Sequence, residues 1–216
     1  MEPLSIDVVS DIICPWCFIG TRRLDQALAA RDASAAPVTV TYHPFLLDPS
    51  IPAAGVDLRE RLRTKYGADP ETMFARVEGA ARESGIPLDF AKVTRTVSTV
   101  GAHTLMRHAI PKGTQAALGA ALFDAYFLKG LDVGQEGTLA ELAATHGFAH
   151  DEALSLVRDE AELSRTREEA SAWARKGIQG VPFFIFDGRL AVSGAQPVAV
   201  LAGAIERATS EKSTRV

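Results

Sequence analysis

The 216-residue chain carries two cysteines, Cys14 and Cys17, and both fall in the stretch SDIICPWCFIG. Two cysteines scattered at random over this length would sit three residues apart about once in a hundred placements. Three chemistries fit the spacing: half of a metal site, a redox pair, or two buried small residues. A structural zinc site needs four ligands, often supplied as two such pairs, and no second pair exists. The five histidines, His43, His103, His108, His146 and His150, lack the carboxylate arrangement of a zinc helix. No metal is therefore expected, and each histidine taken alone reads as an ordinary surface or core residue. Inert burial does not account for a pair placed after a strand and at a helix start. A redox pair does.

The reason is electrostatic. A thiolate, not a thiol, attacks a disulfide. A helix N-terminus carries roughly half a positive charge and several N–H groups without partners, so it stabilises an anion placed there. Cys14 stands at that end and is the candidate nucleophile. Cys17 lies one turn further in and is the candidate resolving thiol. Pro15 and Trp16 between them set the loop geometry and so tune the redox potential. A second stretch, GIQGVPFFIF, places Pro182 at the first residue of an apolar run. Proline cannot donate to a sheet ladder and belongs at a strand start or edge. A cis Val181–Pro182 bond would turn the chain and offer the Val181 backbone to an extended substrate; a trans proline would merely start a strand.

The elements that must position these residues can be read from periodicity. LSIDVV (4–9) and VTVTYH (38–43) alternate as strands. A helix between them begins at the cysteines, with Pro15 in its first turn, and the three elements suggest a βαβ unit. From about residue 56 to 176 the pattern is helical, with no strand character. Helices are expected from about 56 to Gly67, from the Asp69 cap to Gly85, and over 98–109, 114–129, 135–146 and 151–176. Thr138 and Glu141 have capping-box spacing. Strands return at PFFIFD (182–187) and RLAVSG (189–194), joined by an Asp187-Gly188 hairpin turn. Pro197 opens a last helix, and residues 210–216 read as a frayed tail. The order βαβ, helical block, ββα describes one α/β domain, discontinuous over 1–55 and 177–216, with an all-helical insertion over 56–176.

Bulk properties exclude several functions. A formal net charge of −4 and a pI near 5.8 give no electrostatic footprint for nucleic acid. No apolar run approaches the length of a membrane span, and the N-terminus lacks the pattern of a secretory signal. The cytoplasm is the expected compartment, where a lone cysteine pair is a poor candidate for a structural staple.

SDIICPWCFIG, LFDAYFLKGLDVG, GVPFFIF and VSGAQP, in this order, resemble the DsbA-like branch of the thioredoxin superfamily, and most closely its FrnE-type oxidoreductases. The resemblance runs across nearly the whole chain. It implies a thioredoxin-like domain built from the two chain ends and capped by the helical insertion. It also implies Cys14 as exposed nucleophile, Cys17 as partner, no tightly bound cofactor beyond a Cys14–Cys17 redox disulfide, and a cis Pro182 packed on that disulfide. Asp11, three residues before Cys14, is a candidate for tuning the site or a solvated loop aspartate. Related glutathione-dependent isomerases and transferases carry serine where Cys14 stands. Ser193, Gly194, Ala195 and Gln196 precede a helix whose start could hold a carboxylate, so glutathione is a candidate thiol partner; an ordinary helix cap is the alternative. The expected function is disulfide exchange with protein or small thiol substrates, by a monomer or homodimer. A glutathione-dependent isomerase and a redox-gated binding protein are the alternatives.

Overall fold

A computed structural model describes residues 3–32 and 34–214. Strand β1 (Leu4–Ser10) is followed by helix α1 (Pro15–Ala29) and strand β2 (Val38–Pro44). Near the other end, β5 (Phe183–Phe186), β6 (Leu190–Ser193) and helix α9 (Val198–Ser213) complete the unit. The four strands form one sheet in the order β2-β1-β5-β6. β1 runs parallel to β2 and antiparallel to β5. This is the α/β, thioredoxin-like architecture with a large helical insertion. It puts strands encoded about 175 residues apart side by side at the centre, with Val8 opposite Phe184.

The alternation of β1 explains the packing. Leu4, Ile6 and Val8 point to one face and meet Leu24 of α1, Phe184 and Phe186 of β5, and Leu201 and Ile205 of α9. Phe184 and Phe186 are completely buried; burying a phenylalanine side chain contributes about 1.5–3 kcal/mol. The β5–β6 connection, residues 187–189, has Asp187 and Gly188 both at positive φ, 50° and 67°, and Arg189 N–H donates to Phe186 O at 3.0 Å to close the turn.

The intervening segment holds α2 (Leu58–Tyr66), α3 (Pro70–Glu83), α4 (Val100–Ala109), α5 (Gln115–Phe123), α6 (Glu136–Ala144), α7 (His150–Arg158) and α8 (Glu160–Arg175). Several sequence expectations need correction here. The segment does contain strand: β3 (Val56–Asp57) pairs antiparallel with β4 (Arg95–Thr96). Two residues per strand are too few to show a period. The helix expected over 151–176 is two helices, because the Asp159 carboxylate accepts from the N–H groups of Ala161 and Glu162 and so caps a new start. Thr138 is not a cap, since α6 already begins at Glu136. After α5 the backbone widens into a π turn over Asp124–Leu128. The expected frayed tail is helical to Ser213, and Lys212 is tied to the Asp187 carboxylate at 3.0 Å; residues 215 and 216 lie outside the described residues.

On the other side of the sheet, His43 of β2 joins the strands to α8. Its Nε2 is 2.8 Å from Asp7 Oδ1 and its Nδ1 is 3.2 Å from Glu169 Oε1. Trp173 packs on the imidazole, with ring centres 4.7 Å apart. Burial opposes the imidazolium charge, yet the bonds to Glu169 and Asp7 outweigh it and hold His43 above its ordinary value of 6.5. Among the described residues no helix is long and apolar enough to cross a membrane.

Candidate active site

The chain leaves β1 at Ser10 and turns at once, with Cys14 N–H donating to Asp11 O at 3.0 Å. The turn delivers Cys14 to the N-cap of α1 in an extended conformation, φ −88° and ψ 113°. Its carbonyl accepts the first helical bond, from Phe18 N–H. Pro15 occupies the first turn, where no N–H partner is available anyway. Cys14 is 4% exposed and lines a groove, whereas Cys17 is wholly buried. Both thiols are free, with Cys17 in the first turn of α1 and Cys14 at its N-cap. Burial pushes the Cys17 thiol up, and its bond and charge interaction with Cys14 add to this. Cys17 therefore keeps its proton while Cys14 faces the opening.

The second motif meets the first across 167 residues. Cys14 Sγ donates to the carbonyl of Val181 at 3.7 Å, and the Val181–Pro182 peptide is cis. Pro182 lies against α1 at Gly20, one turn beyond Cys17: a Cβ at Gly20 would fall 2.7 Å from Pro182 Cγ. Only glycine permits that approach. Pro182 is held from the other side by Gly194 N–H, which donates to its carbonyl at 2.8 Å. Ser193, Gly194, Ala195 and Gln196 thus brace the proline loop. Ala195 O accepts from Arg23 at 2.7 Å, and the Gln196 side chain closes on Ser193 O.

Asp11 is 1% exposed, which rules out a solvated loop aspartate. Its Oδ2 accepts from Leu47 N–H and its Oδ1 from the Thr99 hydroxyl, both at 2.8 Å. His103 Nε2 stands 3.5 Å from the same Oδ1 and has no hydrogen-bond partner among the described residues. The Asp11 backbone favours the Cys17 anion, while its carboxyl charge opposes it. Thr99 and His103 escaped sequence reading. Their one signal was spacing: positions i and i+4 of an apolar helix share a face.

Trp16 forms one lip of the groove, with the Arg76 guanidinium 5.9 Å from its ring centre. The π turn shapes the opposite wall. One extra residue per turn lets Ala125, Tyr126 and Phe127 all be buried in succession. Phe127 stacks on Phe18 at 5.4 Å, and Tyr126 donates to Arg95 O at 2.8 Å. Residue types and geometry together can form and break a sulfur–sulfur bond beside an apolar, half-enclosed space.

Among known proteins, a crystal structure described as a probable DsbA oxidoreductase from Streptomyces coelicolor superposes with a TM-score of 0.85 at 31% identity, covering 96% of this chain and 91% of that one. The uncharacterized protein YwbO of Bacillus subtilis is 25% identical over 196 residues, covering 89% of this chain and 90% of its own. A 2-hydroxychromene-2-carboxylate isomerase shares the fold alone, with a TM-score of 0.74 at 16% identity over 98% of this chain and 99% of that one. The family model of the DSBA-like thioredoxin domain matches residues 5–206, and the chain belongs to that family.

Proposed function

We propose that the chain is a thiol–disulfide oxidoreductase working through Cys14 and Cys17. Cys14, as thiolate, attacks one sulfur of a substrate disulfide. The Cys14–substrate bond forms, the substrate's own sulfur–sulfur bond breaks, and one thiolate leaves. Cys17 then loses its proton and attacks the Cys14 sulfur. The Cys14–Cys17 bond forms, the second substrate thiolate departs, and two electrons have passed from protein to substrate. Run backwards, the same steps oxidise a dithiol. The observation that carries this reading is a groove-lining cysteine at a helix start with a second, fully buried cysteine in the first turn of the same helix. The Val181 carbonyl 3.7 Å from Cys14 Sγ supports it, because backbone beside the reacting sulfur is what an extended substrate would pair with.

The cytoplasm is the compartment we propose, with its thiol pool setting the direction of exchange. The isomerase alternative uses Cys14 only as a hydrogen-bond donor and has no task for Cys17. An assay that follows reduction of dipyridyl disulfide separates the two. Cys14→Ser abolishes turnover, and Cys17→Ala arrests the protein as a mixed disulfide with substrate. Undiminished turnover in Cys14→Ser rules the mechanism out.

A further inference from the structure

The groove beside Cys14 has a volume of about 390 Å³, within the size range of small-molecule sites. Leu62 and Tyr66 of α2, Phe74 and Val77 of α3, Phe127 of the π turn and Trp16 are among its apolar lining residues. Cys14 is 4% exposed. A sulfur that reaches Cys14 through this groove is brought there most directly by a group that fits between its walls.

The chemistry of that group follows from the lining. An apolar wall favours an aromatic or alkyl body. It disfavours glutathione, whose peptide groups and charged ends would be taken from water without partners. The charged residues in the lining are Arg61, Lys65 and a single carboxylate, Asp48. Arg61 grips both Asp48 oxygens at 2.8 Å, while Lys65 Nζ is 3.8 Å away and donates to Leu47 O at 3.0 Å, leaving further N–H groups for a ligand. Two cations therefore share one anion, and Arg76 at the Trp16 lip adds a further positive charge. The charged side chains of the lining, with Arg76 beside Trp16, are thus in positive excess, while the other lining residues are mostly apolar.

Building on the oxidoreductase reading, we propose that the site takes small disulfides whose thiol half is an apolar body bearing a carboxylate, in preference to oxidised glutathione or a protein cystine. The body occupies the groove and its carboxylate meets the Lys65 and Arg76 side of the rim. Cys14 then forms the bond to the near sulfur, and the far half leaves as its thiolate.

The test uses the reduced full-length chain and four probes: bis(nitrobenzoate) disulfide, neutral dipyridyl disulfide, oxidised glutathione and cystamine. Each rate is divided by that of a free cysteine derivative with the same probe, which removes the intrinsic reactivity of the leaving group. The normalised rates are expected to fall in the order nitrobenzoate, dipyridyl, glutathione, cystamine. In the double variant Lys65→Gln, Arg76→Gln, the ratio of the nitrobenzoate to the dipyridyl rate drops about fivefold, the order expected for losing close surface charge. Equal normalised rates, a glutathione or cystamine rate above the aromatic ones, an unfolded protein disulfide outpacing all four, or an unmoved ratio in the variant overturns the proposal. A Cys14 inert toward every probe refutes the oxidoreductase reading itself; a reactive Cys14 without preference refutes only the substrate class.

Discussion

Gly20 offers the sharpest check on how the two halves of the site are joined. Glycine inside a helix costs about 0.5–1 kcal/mol relative to alanine, so Gly20→Ala judged on propensity alone stabilises the protein. The structure predicts the reverse. The new Cβ would lie 2.7 Å from Pro182 Cγ, 3.3 Å from Phe184 Cζ and 3.4 Å from Pro182 Cβ. Carbon atoms pack at about 3.5–4.0 Å, so α1 and the proline segment must part by about 1 Å. Phe184 is fully buried and cannot yield. Overpacking of this kind costs about 1–3 kcal/mol, and after the helical gain a net loss of about 1–2 kcal/mol is expected. Gly79 in the middle of α3 is the control, because nothing lies within 4 Å of its Cβ position; Gly79→Ala should gain about 0.5–1 kcal/mol. Urea midpoints at unchanged slope measure both. The same 1 Å separation draws Val181 away from Cys14, so single-turnover exchange with dipyridyl disulfide should slow by up to about a hundredfold. If Gly20→Ala gains stability as Gly79→Ala does, α1 does not rest on Pro182 and the joining of the two motifs is wrong.

Three further outcomes are expected. Asp11→Ala strips acceptors from Leu47 N–H and the Thr99 hydroxyl, and at about 1–3 kcal/mol for each group left unpaired it should destabilise by about 2–6 kcal/mol in urea. Asp11→Asn, which keeps one acceptor oxygen, should lose roughly half of that. His43 has a raised value in the fold, so its contribution is complete below its unfolded value near 6.5 and is lost as pH rises through the folded one. The stability difference between native protein and His43→Gln should therefore shrink as pH climbs from 6.5 upward, and a flat difference would contradict the Asp7–His43–Glu169 bridge.

The sequence disclosed those parts of the fold that local chemistry dictates. The alternation of LSIDVV and VTVTYH, the Asp187-Gly188 turn and Pro15 at a helix start each act over a few residues, and each appears where expected. The β3–β4 ladder, the break at Asp159 and the π turn do not announce themselves. A two-residue strand has no period, an aspartate within a polar run looks like any surface residue, and one extra residue barely disturbs helical spacing. The site divides in the same way. Cys14, Cys17, Val181 and Pro182 stand out by type. Leu47, Thr99 and His103 matter through burial beside Asp11, which arises from contacts 36 to 92 residues apart.

The central pairing of β1 with β5 has a consequence for how the protein is made. The thiols are encoded at positions 14 and 17, but the residues that shelter them come from the helical insertion and, at Val181, from the stretch just before β5. During synthesis both sulfurs leave the ribosome long before their cover exists. For that interval they are exposed to whatever oxidant or electrophile the surroundings hold. A newly made chain is thus more vulnerable at its reactive centre than a finished one, and cells that produce it rapidly under oxidative stress should accumulate molecules modified at Cys14 before they have folded.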